Sequence, residues 1–199
     1  MLILQNPSQA ETKVKNSRFL AEALPVHTPE EAKELWKWRK ENYDNGGHIV
    51  YAFTVGSNQN ISGCSDDGEP SGTAGKPVLA VLLGSGLTNT LITVARWFGG
   101  TKLGTGGLVH AYSEAAKAAV DAAVKVELIP LDRINFAIPY ALYSTVKKFL
   151  DSIGFSAESE EFAAEIKITG TIPRAAAQDF AAFIQELGNG RIICTMQEL

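Results

Sequence analysis

The distribution of apolar and polar residues near the start of the chain predicts an extended segment followed by a helix. Residues 12–25 contain scattered apolar side chains and are interpreted as extended. Thr28 then supplies an N-cap, Pro29 suits the first helical position, and Glu31 completes a capping box with Thr28. The apolar positions that follow lie near one helix face: Ala32, Leu35, Trp36 and Tyr43.

The next part of the chain predicts a strand, a long loop, a short helix and a second strand. Residues 44–47 form a polar turn that ends the first helix. Residues 48–55 are rich in β-branched and aromatic side chains, which favour a strand. Residues 57–76 are polar and are interpreted as a loop. The apolar runs at 77–83 and 91–98 predict a buried helix and a buried strand.

A long alanine-rich helix is expected to complete the first domain. Gly99 and Gly100 end the preceding strand, and Thr105 can act as the N-cap of a helix that runs to about Val124. A domain boundary is predicted near residues 129–130, where the pattern changes. The first domain therefore covers residues 1–130.

Residues 131–199 predict a second domain with the element order βαββαβ. Its elements are a strand at 134–138, a helix at 142–153 closed by Gly154, a strand from Phe155, a strand at 166–172, a helix from Pro173 closed by Gly188, and a strand at 191–196. This order is the split βαβ, ferredoxin-like arrangement. The predicted fold class is therefore α+β.

Composition narrows the class of protein. The 199 residues are 45% hydrophobic and 20% charged, which is typical of a globular chain. A net charge of −4 argues against binding of nucleic acid by bulk charge but is compatible with a local basic site. Cys64 and Cys194 suggest no disulfide framework. No signal peptide or membrane span is predicted, so we expect a cytoplasmic protein.

The first candidate site is the glycine-rich loop at residues 65–76. Asp66, Asp67 and Glu69 are oxygen ligands of the kind that Mg²⁺ prefers. The small residues around them would let a phosphate or a metal approach the backbone. The alternative is a tight turn in which the carboxylates cap backbone amides. The other polar members of this loop are Ser71, Thr73 and Lys76.

The second candidate site runs from a strand through glycines into the start of a helix. A helix N-terminus offers free amide groups and the positive end of a dipole, and Arg96 and Lys102 could add charge to a bound anion. The alternative is that the glycines only let strand and helix pack closely. The segment matches no Walker A loop. Its glycines and its capping residue are Gly99, Gly100, Gly104, Thr105, Gly106 and Gly107.

Three further side chains and one sheet face are candidates for smaller roles. His48 is interpreted as structural, and Arg18 as the partner of a carboxylate. His110 lies one turn into the long helix, where it could reach the glycine-rich loop or face solvent. The outward residues of the second domain's sheet would be Arg133, Asn135, Lys167, Thr169 and Thr171. None is aromatic, which argues against RNA binding by stacking on that sheet.

Three segments resemble the IMPACT/YigZ family, and the resemblance spans essentially the whole chain. They are Ser17-Arg18-Phe19, residues 66–77, and residues 96–100 continuing through 103–109 to Ala111-Tyr112. The resemblance implies a first domain folded like the second domain of a small-subunit ribosomal protein (ribosomal S5 domain 2-like) and a ferredoxin-like second domain. Two departures from the family pattern are Tyr43, where bacterial members usually have histidine, and His110, where they tend to have Lys or Arg.

Eukaryotic members of the family regulate translation, so the resemblance implies a protein that contacts RNA or the ribosome, without a cofactor. An alternative hypothesis is a metal-assisted hydrolase or phosphate-ester enzyme in which Asp66, Asp67 and Glu69 hold Mg²⁺. A third is an adaptor for protein partners of translation control. Converging carboxylates would favour the enzyme, and carboxylates that cap amides would disfavour it.

Overall fold

The computed structural model describes residues 1–42 and 47–198 as two compact units, Met1–Leu128 (unit 1) and Ile129–Leu199 (unit 2). Tyr43 and most of the turn predicted at residues 44–47 lie outside the described residues. The elements of unit 1 are β1 Leu2–Leu4, β2 Ser8–Val14, β3 Ser17–Pro25, α1 Pro29–Asn42, β4 His48–Val55, β5 Ile61–Ser65, α2 Gly75–Gly84, β6 Thr90–Trp97, α3 Gly104–Asp121 and β7 Lys125–Glu127.

Unit 1 is built on a five-stranded antiparallel sheet with the order β2-β3-β6-β4-β5. Alternate residues of its central strands point to opposite faces. One face packs against α2 and α3 and forms the main core, with Phe19, Val50, Ile92 and Tyr112 among its members. β1 pairs with β7 in a separate two-stranded sheet of this unit.

The opposite face of the sheet is covered in part by α1. Phe53 and Leu91 point to this side and pack with Val26 and Ala32 in a smaller cluster. The indole nitrogen of Trp36 donates a hydrogen bond to the Ile49 carbonyl at 2.7 Å. The side chains that α1 buries therefore fix its position against the neighbouring strand.

The start of α1 follows the predicted capping chemistry. The amide of Glu31 donates to the Thr28 hydroxyl at 3.1 Å, and the Glu31 carboxylate accepts from the His27 amide at 2.6 Å. The reciprocal bond thus reaches His27 rather than Thr28 itself.

Thr28→Ala is expected to destabilise unit 1 by about 0.5 to 2 kcal/mol, the usual cost of a lost N-cap. Urea denaturation followed by tryptophan fluorescence measures this, since all three tryptophans belong to unit 1. Thr105→Ala is the matched control, because Thr105 makes no cap in the structure. Equal effects of the two substitutions would contradict the prediction.

Three predictions about unit 1 need correction. Residues 12–25 are not one extended segment but parts of a β2–β3 hairpin that turns at Lys15 and Asn16, both at positive φ. The predicted loop at 57–76 contains the edge strand β5, which forms by pairing with β4. The long helix ends at Asp121 instead of Val124. The helix predicted at 77–83 and the strand at 91–98 are confirmed as α2 and β6.

Unit 2 has the predicted element order βαββαβ. Its elements are β8 Leu131–Ile138, α4 Tyr143–Ser152, β9 Ser156–Phe162, β10 Ile166–Pro173, α5 Ala177–Leu187 and β11 Cys194–Glu198. The antiparallel sheet has the order β11-β8-β10-β9. Both helices pack on one face, where Ile134, Phe136, Leu150, Phe180 and Ile184 form the core. The whole chain is therefore an α+β protein.

The start of α5 differs from the sequence prediction. Pro173 does not begin α5. It is the last residue of β10, and a short 3₁₀ turn at Arg174–Ala176 precedes the helix.

The exposed aromatic Phe162 pairs in register with the buried Ile166, so its side chain lies on the helix-covered face of the sheet. The described open face thus presents no aromatic residue, as the sequence predicted.

Candidate functional site

A cavity of about 450 Å³ opens in unit 1 where the two glycine-rich segments meet. The first segment contributes Glu69 and Pro70 to its wall, and the second contributes residues from Arg96 to Leu108. His48, at the start of β4, also lines it. The two segments are far apart in sequence, and the fold brings them together at one end of the sheet.

One side of the cavity is formed by the start of α3. The chain enters this helix through Gly104, whose φ of +73° strongly favours glycine. The helix begins at Gly104, and no described residue provides a side-chain cap. The prediction that Thr105 is the N-cap is therefore wrong, because Thr105 lies within the first turn. Gly104 and Thr105 line the cavity, and the free amides of this first turn lie beside it.

The start of α2 differs, because the protein caps it with a carboxylate. Asp66 accepts hydrogen bonds from the amides of Ala74 and Gly75 at 3.0 and 2.8 Å and from that of Gly72 at 2.8 Å. Burial alone raises the pKa of Asp66, but these amides and the charge of Lys76 outweigh it, so the pKa lies below its usual value. Asp66 therefore holds the loop as a fixed anion at neutral pH.

Asp67 ties the same loop to β4 and α1. Its carboxylate accepts from the Ile49 amide at 2.8 Å and from the Lys40 ammonium at 2.5 Å. Its carbonyl oxygen accepts from Nδ1 of His48 at 2.7 Å. Since a carbonyl can only accept, Nδ1 carries the hydrogen, and in the neutral ring Nε2 is left as an acceptor. His48 is thus structural through one nitrogen while its ring lines the cavity.

Glu69 and Arg96 form a largely buried ion pair in the wall of the cavity. Nη1 of Arg96 lies 2.6 Å from the Glu69 carboxylate, which also accepts from the Tyr112 hydroxyl at 2.8 Å. Burial and the neighbouring Glu69 charge raise the pKa of Tyr112, so its hydroxyl stays protonated and keeps donating. Nε of Arg96 is buried and has no hydrogen-bond partner among the described residues.

The three carboxylates of the loop do not converge on one point. Asp66 caps amides, Asp67 pairs with Lys40, and Glu69 pairs with Arg96. Within residues 1–42 and 47–198, no group of three or more His, Cys, Asp or Glu could hold a metal ion. Asp66 and Asp67 accept from backbone amides, as in the tight-turn alternative predicted from the sequence. The geometric basis for Mg²⁺ held jointly by Asp66, Asp67 and Glu69 is therefore removed.

The glycines of the second segment have different structural roles. A Cβ on Gly99 would lie 2.0 Å from the backbone of Asn16, so Gly99 is required for packing. Gly100 and Gly104 have positive φ. A Cβ on Gly107 would meet Leu103 at 3.1 Å, whereas one on Gly106 would meet nothing within 4 Å. The fold therefore demands most of these glycines, but not Gly106.

Several residues predicted for the site lie elsewhere. Arg18 pairs across the sheet with Trp97 and stacks on its ring at 3.7 Å, on the face opposite Arg96. It also approaches Glu11 at 3.6 Å. His110 is exposed beside Glu114 at 3.6 Å and does not line the cavity. The remaining loop residues also lie outside the cavity wall: Ser71 and Lys76 are exposed, and the Thr73 hydroxyl donates to the Pro70 carbonyl.

The apolar walls of the cavity were not anticipated from the sequence. Pro70, Leu103 and Leu108 line it, together with Phe98, which is 59% exposed. Phe98 directly precedes Gly99 and Gly100, and an aromatic residue next to a glycine pair is the sequence signal that could have indicated it. Lys102 completes the wall and supplies a positive charge.

Comparison with known proteins places this α+β chain in a family. Residues 15–120 match the Impact N-terminal domain, and residues 136–191 match a domain of unknown function, DUF1949. The chain belongs to the IMPACT family. In unit 1 the match includes the cavity and both glycine-rich segments.

The similarity to several relatives extends over both units of this chain. An IMPACT family member from Haemophilus influenzae is 32% identical over 95% of this chain and 93% of its own length. The IMPACT family member YigZ of Escherichia coli is 29% identical over 96% and 95%. A crystal structure described as that of a hypothetical protein matches with a TM-score of 0.71 at 29% identity, covering 100% of this chain and 96% of its own. The family of the chain is therefore established.

No helix in the described part of the chain is both long and apolar enough to cross a membrane.

Proposed function

We propose that the protein is a regulator of translation that contacts RNA or the ribosome through the cavity surface of unit 1. The observation that carries the proposal is the start of α3, which no described side chain caps and which opens beside Lys102 and Arg96. Backbone amides at a helix start and nearby cations are suited to a phosphate group. Such a role would place the protein in the cytoplasm.

The distribution of charge supports unit 1 as the binding unit. Residues 1–128 contain 12 Lys and Arg against 13 Asp and Glu, whereas residues 129–199 contain 6 against 9. Most of the acidic excess thus belongs to unit 2. Unit 1 is close to neutral. The overall charge of this unit therefore weakens the attraction between its local cations and a bound anion less than an acidic unit would.

The fold assignments implied by the family resemblance are part of this proposal. The order β11-β8-β10-β9 with two helices on one face supports a ferredoxin-like unit 2. For unit 1 we propose the ribosomal S5 domain 2-like fold. An adaptor role toward protein partners of translation control is compatible with the same surface.

Sedimentation with purified ribosomes at about 50 and 200 mM salt tests the proposal. We expect binding at the lower salt concentration and a marked loss at the higher one, as phosphate contacts require. Absence of the protein from the ribosome pellet at low salt would contradict the proposed function.

Lys102→Glu is expected to weaken ribosome binding about tenfold or more and to reduce its salt dependence, because it replaces a cation at the cavity with an anion. Lys117→Glu is the matched control, since it makes the same charge change at an exposed position of α3 away from the cavity. An equal loss in both variants would indicate a general charge effect rather than binding at the cavity.

A further inference from the structure

We infer that the cavity of unit 1 binds one nucleotide unit, with its phosphate at the start of α3 and its base against Phe98. This inference rests on the proposed function, because it names the chemical group by which the protein would recognise RNA. The same unit could come from a free mononucleotide or from an unpaired nucleotide of an RNA strand, and both share this chemistry.

The phosphate end is defined by donors that the protein leaves unused. At α2 the carboxylate of Asp66 satisfies the first amides of the helix. At α3 no described side chain takes the equivalent position. An external anion would complete α3 in the way that Asp66 completes α2.

Arg96 provides the second, independent observation at this end. It lines the cavity although it is only 8% exposed, and its Nε has no partner among the described residues. A buried donor without an acceptor is unfavourable, so the fold leaves the hydrogen bonding of Arg96 incomplete at the cavity. Because Glu69 offsets the charge of Arg96, the net positive charge comes from Lys102 and the helix start.

The other end of the cavity is suited to a flat organic ring. A volume of about 450 Å³ is far larger than a phosphate needs and lies in the range of small-molecule clefts. The apolar residues that line the cavity are Pro70, Leu103, Leu108 and Phe98. The guanidinium carbon of Arg96 lies 5.6 Å from the centroid of the Phe98 ring. The cation and the aromatic surface are therefore adjacent, as phosphate and base are in a nucleotide.

The test is a titration of the full-length protein, followed by the NMR shifts of its backbone amides, with inorganic phosphate, adenosine, adenosine 5′-monophosphate and a single-stranded hexa-adenylate RNA. We expect the mononucleotide to shift the amides of Gly104, Thr105 and Gly106 and to bind at least tenfold more tightly than either phosphate or adenosine. Equal affinity for phosphate and mononucleotide, or for adenosine and mononucleotide, would overturn the inference, as would shifts confined to other residues.

Two substitutions test the binding of the phosphate and the binding of the base separately. Phe98→Ala should weaken the mononucleotide about 5- to 150-fold, the range for loss of one stacked base, and leave phosphate binding unchanged. Phe162→Ala is its control, since Phe162 is exposed to a similar extent in unit 2. Lys102→Glu should weaken both ligands, because Lys102 lines the cavity, whereas Lys117→Glu, the same charge change at an exposed position of α3, should weaken neither. Unchanged nucleotide binding in either cavity variant would contradict the assignment.

Binding of the hexa-adenylate RNA and of the ribosome distinguishes a free mononucleotide from an RNA strand as the natural ligand. The same measurements separate this inference from the proposed function. Tighter binding of the hexamer supports an RNA strand as the natural source. Binding of the mononucleotide without binding of the hexamer or the ribosome supports the nucleotide site and contradicts the proposed function. Ribosome binding that Phe98→Ala leaves unchanged, together with no binding of the mononucleotide, contradicts the nucleotide site and leaves the proposed function standing.

Discussion

Glu69→Ala is expected to lower the free energy of unfolding of unit 1 by about 3 to 5 kcal/mol, because it leaves a buried guanidinium without its counter-ion. The side chains of Arg96 and Glu69 are only 9% and 4% exposed. The substitution also removes the acceptor of the Tyr112 hydroxyl, whose residue is fully buried. Urea denaturation followed by tryptophan fluorescence reports this directly, since Trp36, Trp38 and Trp97 all lie in unit 1.

Two controls distinguish the buried pair from charge effects in general. Lys13→Ala disrupts an exposed pair with Glu11 in the same unit and should cost less than about 1 kcal/mol. The double substitution Glu69→Leu with Arg96→Met replaces both charges by apolar groups and should be less destabilising than Glu69→Ala. If Glu69→Ala costs no more than Lys13→Ala, the pair is not important for stability.

Asp66→Ala is expected to destabilise unit 1 by about 2 to 4 kcal/mol, because three amides lose a charged acceptor and those of Ala74 and Gly75 are buried. Ser71→Ala, an exposed substitution in the same loop, should have little effect. Comparable losses in the two variants would show that the loop tolerates removal of its carboxylate cap.

The contribution of Asp66 should depend on pH in a defined direction. Its pKa in the folded protein is lower than its ordinary value, so the folded state binds a proton less readily than the unfolded chain does. The stabilisation is therefore complete above the unfolded pKa of about 3.9 and is lost as the pH falls through the folded value. The difference in unfolding free energy between the wild type and Asp66→Asn should be largest near neutral pH and shrink in acid. A difference that grows as the pH falls would contradict this.

Local chemistry accounts for the elements that were predicted correctly. Thr28, Pro29 and Glu31 specify the start of α1 through contacts within five residues of one another. The β-branched run of β4 and the element order of unit 2 likewise follow from residues that are close in sequence. Such signals act within one or two turns of chain and can be recognised without knowing the rest of the fold.

The mistaken elements depend on features that the side chains of the segment do not reveal. β5 has little apolar content and becomes a strand because β4 presents an edge to it. Thr105 has the right side chain for a cap, but the entry of the chain through Gly104 places it inside the helix. In the first case a strand pairing decides the structure and in the second a backbone angle, and either can override local side-chain preference.

The sequence by itself determined that this is an α+β chain with two glycine-rich segments, and the residues of those segments are enough to show the resemblance to the IMPACT family. Only the tertiary structure decided which of their charged side chains share a cavity. The register of β3 against β6 pairs Phe19 with Arg96 and Arg18 with Trp97. Since neighbouring residues on a strand face opposite sides, this register sends Arg96 to the cavity and Arg18 away from it. That choice depends on strand pairing across more than 70 residues of chain, which no local pattern encodes.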